Sequence, residues 1–291
     1  MSSLPPEFQR VVRILSVNRA VLIAAYALYY WDLLALFPLE YTHIWKSKRT
    51  PTKILYLLNR YVTLFIGFAN GYLTLNFIPA ASCKRIPMVQ PLFSTTIIAL
   101  CGCISTLRVY TIWNRDKRIL ALLSTTLVCC VTVMVYFSTQ QQALLLPVFL
   151  TEPAGFTNCL STRTDSKADN EIILWTMPLV FDSLVLTLTI ARYFRMRSRT
   201  GGMEIPILRK IVNKHISYFA MITTLNVINV AFFSQPDPTL KPSNAVLTLT
   251  LTSMMSARLV LSLFAPASLP LVRASRVTPG RAVEVNGSGA G

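Results

Sequence analysis

A chain of 291 residues that is 53% apolar and only 14% charged, with a mean hydropathy of +0.51, does not read as a soluble domain with a charged surface. Its formal charge of +16 raises the question of nucleic acid. Most Lys and Arg instead flank long apolar runs, where they meet anionic headgroups and set orientation, so the expected partner is a lipid bilayer and no nucleic acid.

Seven runs are predicted as membrane-spanning helices: 18–38, 53–78, 88–112, 119–138, 172–192, 214–234 and 244–265. The expected fold is all-α, a polytopic bundle of seven transmembrane helices over 18–265. A spanning barrel would need alternating segments of about ten residues, whereas Ile97–Ile104 and Ile119–Phe137 are continuously apolar. Residues 1–17 are expected to be an extracellular N-terminus, in which Phe8, Val11, Val12 and Leu15 share a helical face suited to the membrane surface, an ordinary frayed terminus being the alternative. A cleaved signal peptide competes for the first span, because Arg10, Arg13 and Arg19 precede Ala25-Tyr26-Ala27. Bulky apolar residues continue past that point to Phe37.

Lys and Arg divide 17 to eight between the two sets of alternating connections, the larger share falling in 39–53, 113–118, 192–214 and the tail. The positive-inside rule then places the amino terminus outside and the carboxyl terminus in the cytosol, in a plasma-membrane protein. The basic inner loop 192–214 is a candidate surface for a cytosolic signalling partner. Residues 266–291, with Gly280, Gly287, Gly289 and Gly291 among small and polar neighbours, are expected to be a disordered cytosolic tail.

Cys83 and Cys159 fall on the oxidising side of this topology, so a disulfide between them would pin the long fourth loop to the bundle. Cys101, Cys103, Cys129 and Cys130 lie mid-membrane, where packing is the simpler reading and a copper or zinc site the alternative.

A charge in hydrocarbon costs at least about 2.5 kcal/mol, so each needs a partner or water. Asp32 and Arg60 lie at similar depth from the inner ends of the first two spans and are predicted to pair. Asp182 would answer Arg258 in the seventh span or Arg108 near the inner end of the third. Such pairs either set helix register or act as switches. Asn226 and Asn229 share one face of the sixth span, and Thr248, Thr252 and Ser256 one face of the seventh. Pro178 should kink the fifth span beside Asp182. Pro178, Asp182, Asn226, Asn229 and Thr252 therefore outline a possible cavity for a small ligand. Gly67 and Gly71 make a small-xxx-small pattern that permits close helix approach.

The runs Tyr30-Trp31-Asp32-Leu33-Leu34, Glu40, Ile44-Trp45-Lys46 and Lys53–Tyr61 resemble the opening signature of fungal membrane proteins carrying the domain of unknown function 6533, over about 20–65. Leu107-Arg108-Val109-Tyr110 with Trp113, Phe181-Asp182 with Thr187–Arg192, and Ser256-Ala257-Arg258-Leu259 resemble the family's later helices. The resemblance implies a seven-helix, mostly basidiomycete membrane protein and no particular chemistry. Leu36-Phe37-Pro38 and Ser262-Leu263-Phe264 depart from its pattern.

An enzyme is not expected. His43 and His215 stand at membrane edges, outside any metalloprotease or nucleophile motif, and no phosphate-binding Gly-rich loop occurs. All nine lysines lie in loops or at span edges, which excludes a mid-membrane Schiff base, and no cofactor is expected. The expected function is receptor-like signalling or sensing. The alternatives are a small-solute transporter, with Asp32, Asp182 and Arg258 along its path, and a structural scaffold.

Overall fold

The computed structural model describes residues 6–46, 50–75, 78–79, 86–139, 144–146, 156–160, 169–199, 206–234 and 241–264, for some of them the backbone alone. Among the described residues seven long helices carry the fold: α1 (Pro6–Glu40), α2 (Pro51–Leu75), α3 (Ile86–Ile112), α4 (Lys117–Thr139), α5 (Asp169–Arg199), α6 (Pro206–Phe233) and α7 (Lys241–Phe264). Three short antiparallel strands stand outside them: β1 (Ile78–Pro79), β2 (Leu144–Leu146) and β3 (Phe156–Leu160). β3 lies between the other two. Its Thr157 pairs with Ile78 and its Cys159 with Leu145, so part of the long loop after α4 is tied by backbone pairing to the chain following α2.

Among the described residues, six helical stretches are long and apolar enough to cross a membrane, which makes this a multi-pass membrane protein. The exception is α2. At 25 residues it is about 37 Å long, enough to span, but Tyr56, Asn59, Arg60, Thr63 and Asn70 interrupt its apolar run. All five are buried, and their three- and four-residue spacing puts them on one inward face. Ile54, Leu58, Phe65, Phe68 and Tyr72 are exposed on the other. Polar groups inside and large apolar groups outside are the arrangement a bilayer demands, because lipid cannot satisfy the polar ones.

Several helix boundaries lie beyond the apolar runs. α1 is one helix from Pro6, so residues 8–15 are its opening turns and not a separate surface helix. It ends in a π-helical turn, Tyr41–Trp45, a few residues after Pro38. The connection expected to be a basic loop over 192–214 is largely helix: α5 runs on to Arg199, and α6 starts at Pro206. Hydropathy marks where a helix leaves the membrane, whereas Arg and Lys are good helix formers and carry it further. The 31 residues of α5 reach about 46 Å, well past a hydrocarbon core of about 30 Å. The tail 266–291 lies outside the described residues.

Two helix ends show why the chain turns where it does. Asn114, with φ 56°, takes the left-handed position after α3. Its amide bonds the Thr111 carbonyl at 3.2 Å and the Arg115 amide bonds that of Tyr110 at 2.9 Å, the paired bonds of a Schellman end. Asp116 then caps α4 by accepting from the Arg118 amide at 2.9 Å.

The helices close a ring in which consecutive helices touch and α7 meets α1. α3 and α7 also touch each other, and each packs on further members, α3 on α5 and α7 on α2. Apolar contacts fill the layers, among them Trp175 against Phe233 and the cluster of Val109, Leu123, Phe181, Val185 and Leu259.

Candidate functional site: a buried charge latch and a lone carboxylate

Four ionisable side chains from α1, α2 and α7 meet, three of them buried in the bundle. Asp32 is buried on the inward face of α1, opposite the exposed Trp31 and Leu34. Arg60 Nη1 lies 3.6 Å from Asp32 Oδ2, and Arg60 Nη2 donates to the carbonyls of Asp32 and Leu33 at 3.1 and 3.2 Å. On its other side Arg60 Nε stands 3.0 Å from Glu40 Oε2. Glu40, fully buried, also accepts from Tyr56 Oη at 3.2 Å, Tyr61 Oη at 3.1 Å and Trp45 Nε1 at 3.2 Å. Arg258 of α7 completes the group, with Nη2 at 2.6 Å and Nε at 2.7 Å from Asp32 Oδ1.

Two carboxylates and two guanidiniums balance in charge, as a low-dielectric interior requires, although Arg60 Nε, close to Glu40, makes no hydrogen bond among the described residues. The arrangement ties α1 to α2 and α7 and holds the π-helical turn against them, so it acts as a latch. Glu40 is the member that sequence reasoning missed as a site residue, because its place past Pro38 read as loop. The signal was present: Tyr56, Arg60 and Tyr61 recur at helical spacing behind it.

Asp182 and Arg258, expected as partners, do not pair. Arg258 is taken by Asp32, and Asp182 Oδ2 instead accepts from Asn226 Nδ2 at 2.6 Å. Arg108 does not reach Asp182 either. Its Nη2 donates to the Leu259 carbonyl at 3.0 Å, while Nε and Nη1 have no partner among the described residues, although the side chain is only 3% exposed. The helices explain this: α1 and α7 close the ring, which brings Asp32 to Arg258. Asp182 of α5 is held instead by α6, through Asn226.

Of the expected cavity residues, the structure brings Asp182 and Asn226 together. Asn229 bonds Asn244 Nδ2 at 3.2 Å, Pro178 is buried in α5, and Thr252 is buried on α7. A polar seam continues inward from Cys101, whose thiol donates to Asn59 Oδ1 at 3.3 Å. Asn59 Nδ2 donates to the Ser253 carbonyl at 3.2 Å, and the Thr63 and Ser253 hydroxyls meet at 3.0 Å. Tyr29 Oη donates to the Arg60 carbonyl at 2.7 Å, at the edge of the latch. The four mid-bundle thiols, Cys101, Cys103, Cys129 and Cys130, are free. Cys83 lies outside the described residues, and Cys159 is described by its backbone in β3.

The family model of the family of unknown function DUF6533 matches residues 20–65. No curated protein matches the chain. The matched segment holds Asp32, Glu40, Trp45, Tyr56, Arg60 and Tyr61, every latch residue except Arg258.

Proposed function

We propose that this multi-pass membrane protein is a receptor-like signalling protein. In this reading all seven helices cross the bilayer, with the amino terminus outside, the basic extensions of α5 and α6 in the cytosol of a plasma-membrane protein, and Cys83 bonded to Cys159. It assigns no catalytic role. One observation carries it: Arg108, buried at the contact of α3 with α7, keeps two guanidinium nitrogens unpartnered among the described residues. A buried unmatched charge is costly, so a state that gives Arg108 an anionic partner would be favoured by whatever supplies one. A cytosolic partner at the basic ends of α5 and α6 is that supplier. The latch between α1, α2 and α7 holds the resting state.

The test uses Arg258→Gln, which loosens the latch at its exposed edge while Asp32 keeps Arg60. Cells expressing the full chain are assayed for heterotrimeric G-protein or arrestin recruitment without added ligand. The expected result is recruitment above wild type, lost again when Arg108→Leu is added. Normal surface expression with no recruitment in either background would end this reading.

A further inference from the structure

Where α3 ends and α4 begins, beside α5, cations gather without matching anions. Arg192 of α5 donates from Nε to the Ile112 carbonyl at 3.1 Å and lies over the Trp113 ring at 5.5 Å. Trp113 Nε1 in turn donates to the Leu188 carbonyl at 3.3 Å. These contacts hold the end of α3 against α5. Arg195 follows Arg192 by three residues, on the same helical face and about 5 Å further along. The turn after α3 carries Arg115, and Lys117 and Arg118 open α4 directly behind it. Arg115, Lys117, Arg118 and Arg195 are all exposed, and none has an ion pair among the described residues. The acidic residue of the turn, Asp116, accepts from the Arg118 amide at 2.9 Å as the cap of α4.

Arg115 stands at φ 63°, directly after Asn114 at 56°. Left-handed backbone suits glycine and tolerates asparagine, whereas an arginine is held there at a cost. Its amide bond to the Tyr110 carbonyl, at 2.9 Å, would be made equally well by glycine. What arginine adds is a guanidinium, and strain of this kind is characteristic of functional positions. The cations also stand at the head of an apolar surface. Arg118, Leu122, Cys129 and Tyr136 share one exposed face of α4, which runs from the cluster into the span. Charge at one end and a lipid-facing helix below it match an amphiphile with an anionic head. Four cations beside a single carboxylate match a head that bears several phosphates, which guanidiniums bind through paired donors.

We infer that Arg115, Lys117, Arg118 and Arg195 bind the headgroup of a multiply phosphorylated inositol lipid, whose acyl chains lie along the exposed face of α4. The inference rests on the proposed topology for the cytosolic placement of this end of the bundle, where such lipids reside, and takes nothing from the signalling role.

The full chain, purified in detergent, is titrated calorimetrically with dioctanoyl phosphatidylinositol bisphosphate, dioctanoyl phosphatidylserine and inositol trisphosphate. The bisphosphate lipid should bind saturably and about tenfold more tightly than either of the others. The Arg115→Gln, Arg118→Gln double variant should lose about tenfold in affinity for it. Lys46→Gln, which removes a cation lying over the Tyr41 ring at the end of α1, should lose none. Arg115→Gly should weaken binding while its melting midpoint equals or exceeds that of wild type, a split that a purely structural turn would not produce. Should the double variant not fold, Arg195→Gln, on the α5 side of the cluster, carries the same expectation. Equal affinity for phosphatidylserine would reduce the site to general charge attraction, and equal affinity for the chainless trisphosphate would assign it to a soluble phosphate. Either result, or unaltered binding in the cluster variants, would overturn the inference. Binding in detergent does not depend on orientation in a membrane, so its failure leaves the recruitment assay to decide the signalling reading by itself.

Discussion

Arg258 meets Asp32 across a separation of 226 residues, with guanidinium nitrogens 2.6 and 2.7 Å from one carboxylate oxygen. The contact joins the first helix to the last. The other oxygen of Asp32 faces Arg60, so the carboxylate is shared between two helices that both pack on α1.

The two ends of this contact are unequal. Asp32 is 2% exposed and Arg258 37%. Asp32→Ala leaves Arg60 and Arg258 without their shared carboxylate, so about 3–5 kcal/mol of stability should be lost. Arg258→Gln should lose less, because its charge is partly solvated and Asp32 retains Arg60. Thermal unfolding of the two variants in detergent checks the order, and equal losses would contradict it.

Gly67 and Gly71 should answer oppositely to alanine. A Cβ at Gly67 would come within 2.9 Å of the Tyr26 ring, which is buried and held by Asn70 Nδ2 at 3.1 Å. Gly67→Ala should therefore cost about 1–3 kcal/mol. Nothing lies within 4 Å of a Cβ at Gly71, so Gly71→Ala should be neutral or stabilise by up to about 1 kcal/mol through helix propensity. The pair of melting curves measures both.

Arg108→Leu removes a buried guanidinium that is only partly satisfied. Its stability should equal or exceed that of wild type by about 1–4 kcal/mol, as when apolar groups replace buried ions. A melting point well below wild type would show that Arg108 is held by more than the Leu259 carbonyl.

The turn between α3 and α4 depends on Asn114 at φ 56°. Asn114→Gly should be tolerated, since glycine adopts this conformation freely. Asn114→Val should cost about 1–2 kcal/mol. Asp116→Ala, which removes the cap of α4, should cost about 1 kcal/mol. Chemical denaturation monitored by helical circular dichroism distinguishes the three.

Reading by residue was informative where it depended on distance along a helix. Asp32 and Arg60 lie at matching depths in consecutive helices, a relation that a rise of 1.5 Å per residue makes legible. It was uninformative where polar residues crowd a span. α2 falls short on hydropathy because Asn59, Arg60 and Asn70 are counted as though lipid touched them, whereas they point inward. Equally, the Gly67 and Gly71 pattern cannot say which glycine meets a neighbour.

What the amino-acid order determined by itself is therefore the solvent of this chain and the place of its apolar helical runs, though not how far α1, α5 and α6 extend beyond them. Transfer of apolar side chains out of water depends on local composition, and helix geometry on local spacing. Tertiary structure alone decided that Arg258 goes to Asp32, that Glu40 is buried under three donors, and that Asp182 is left with an amide. Those outcomes depend on how the ring closes, because a charge selects its partner by distance in space, and residues 226 positions apart acquire that distance only when α7 packs against α1.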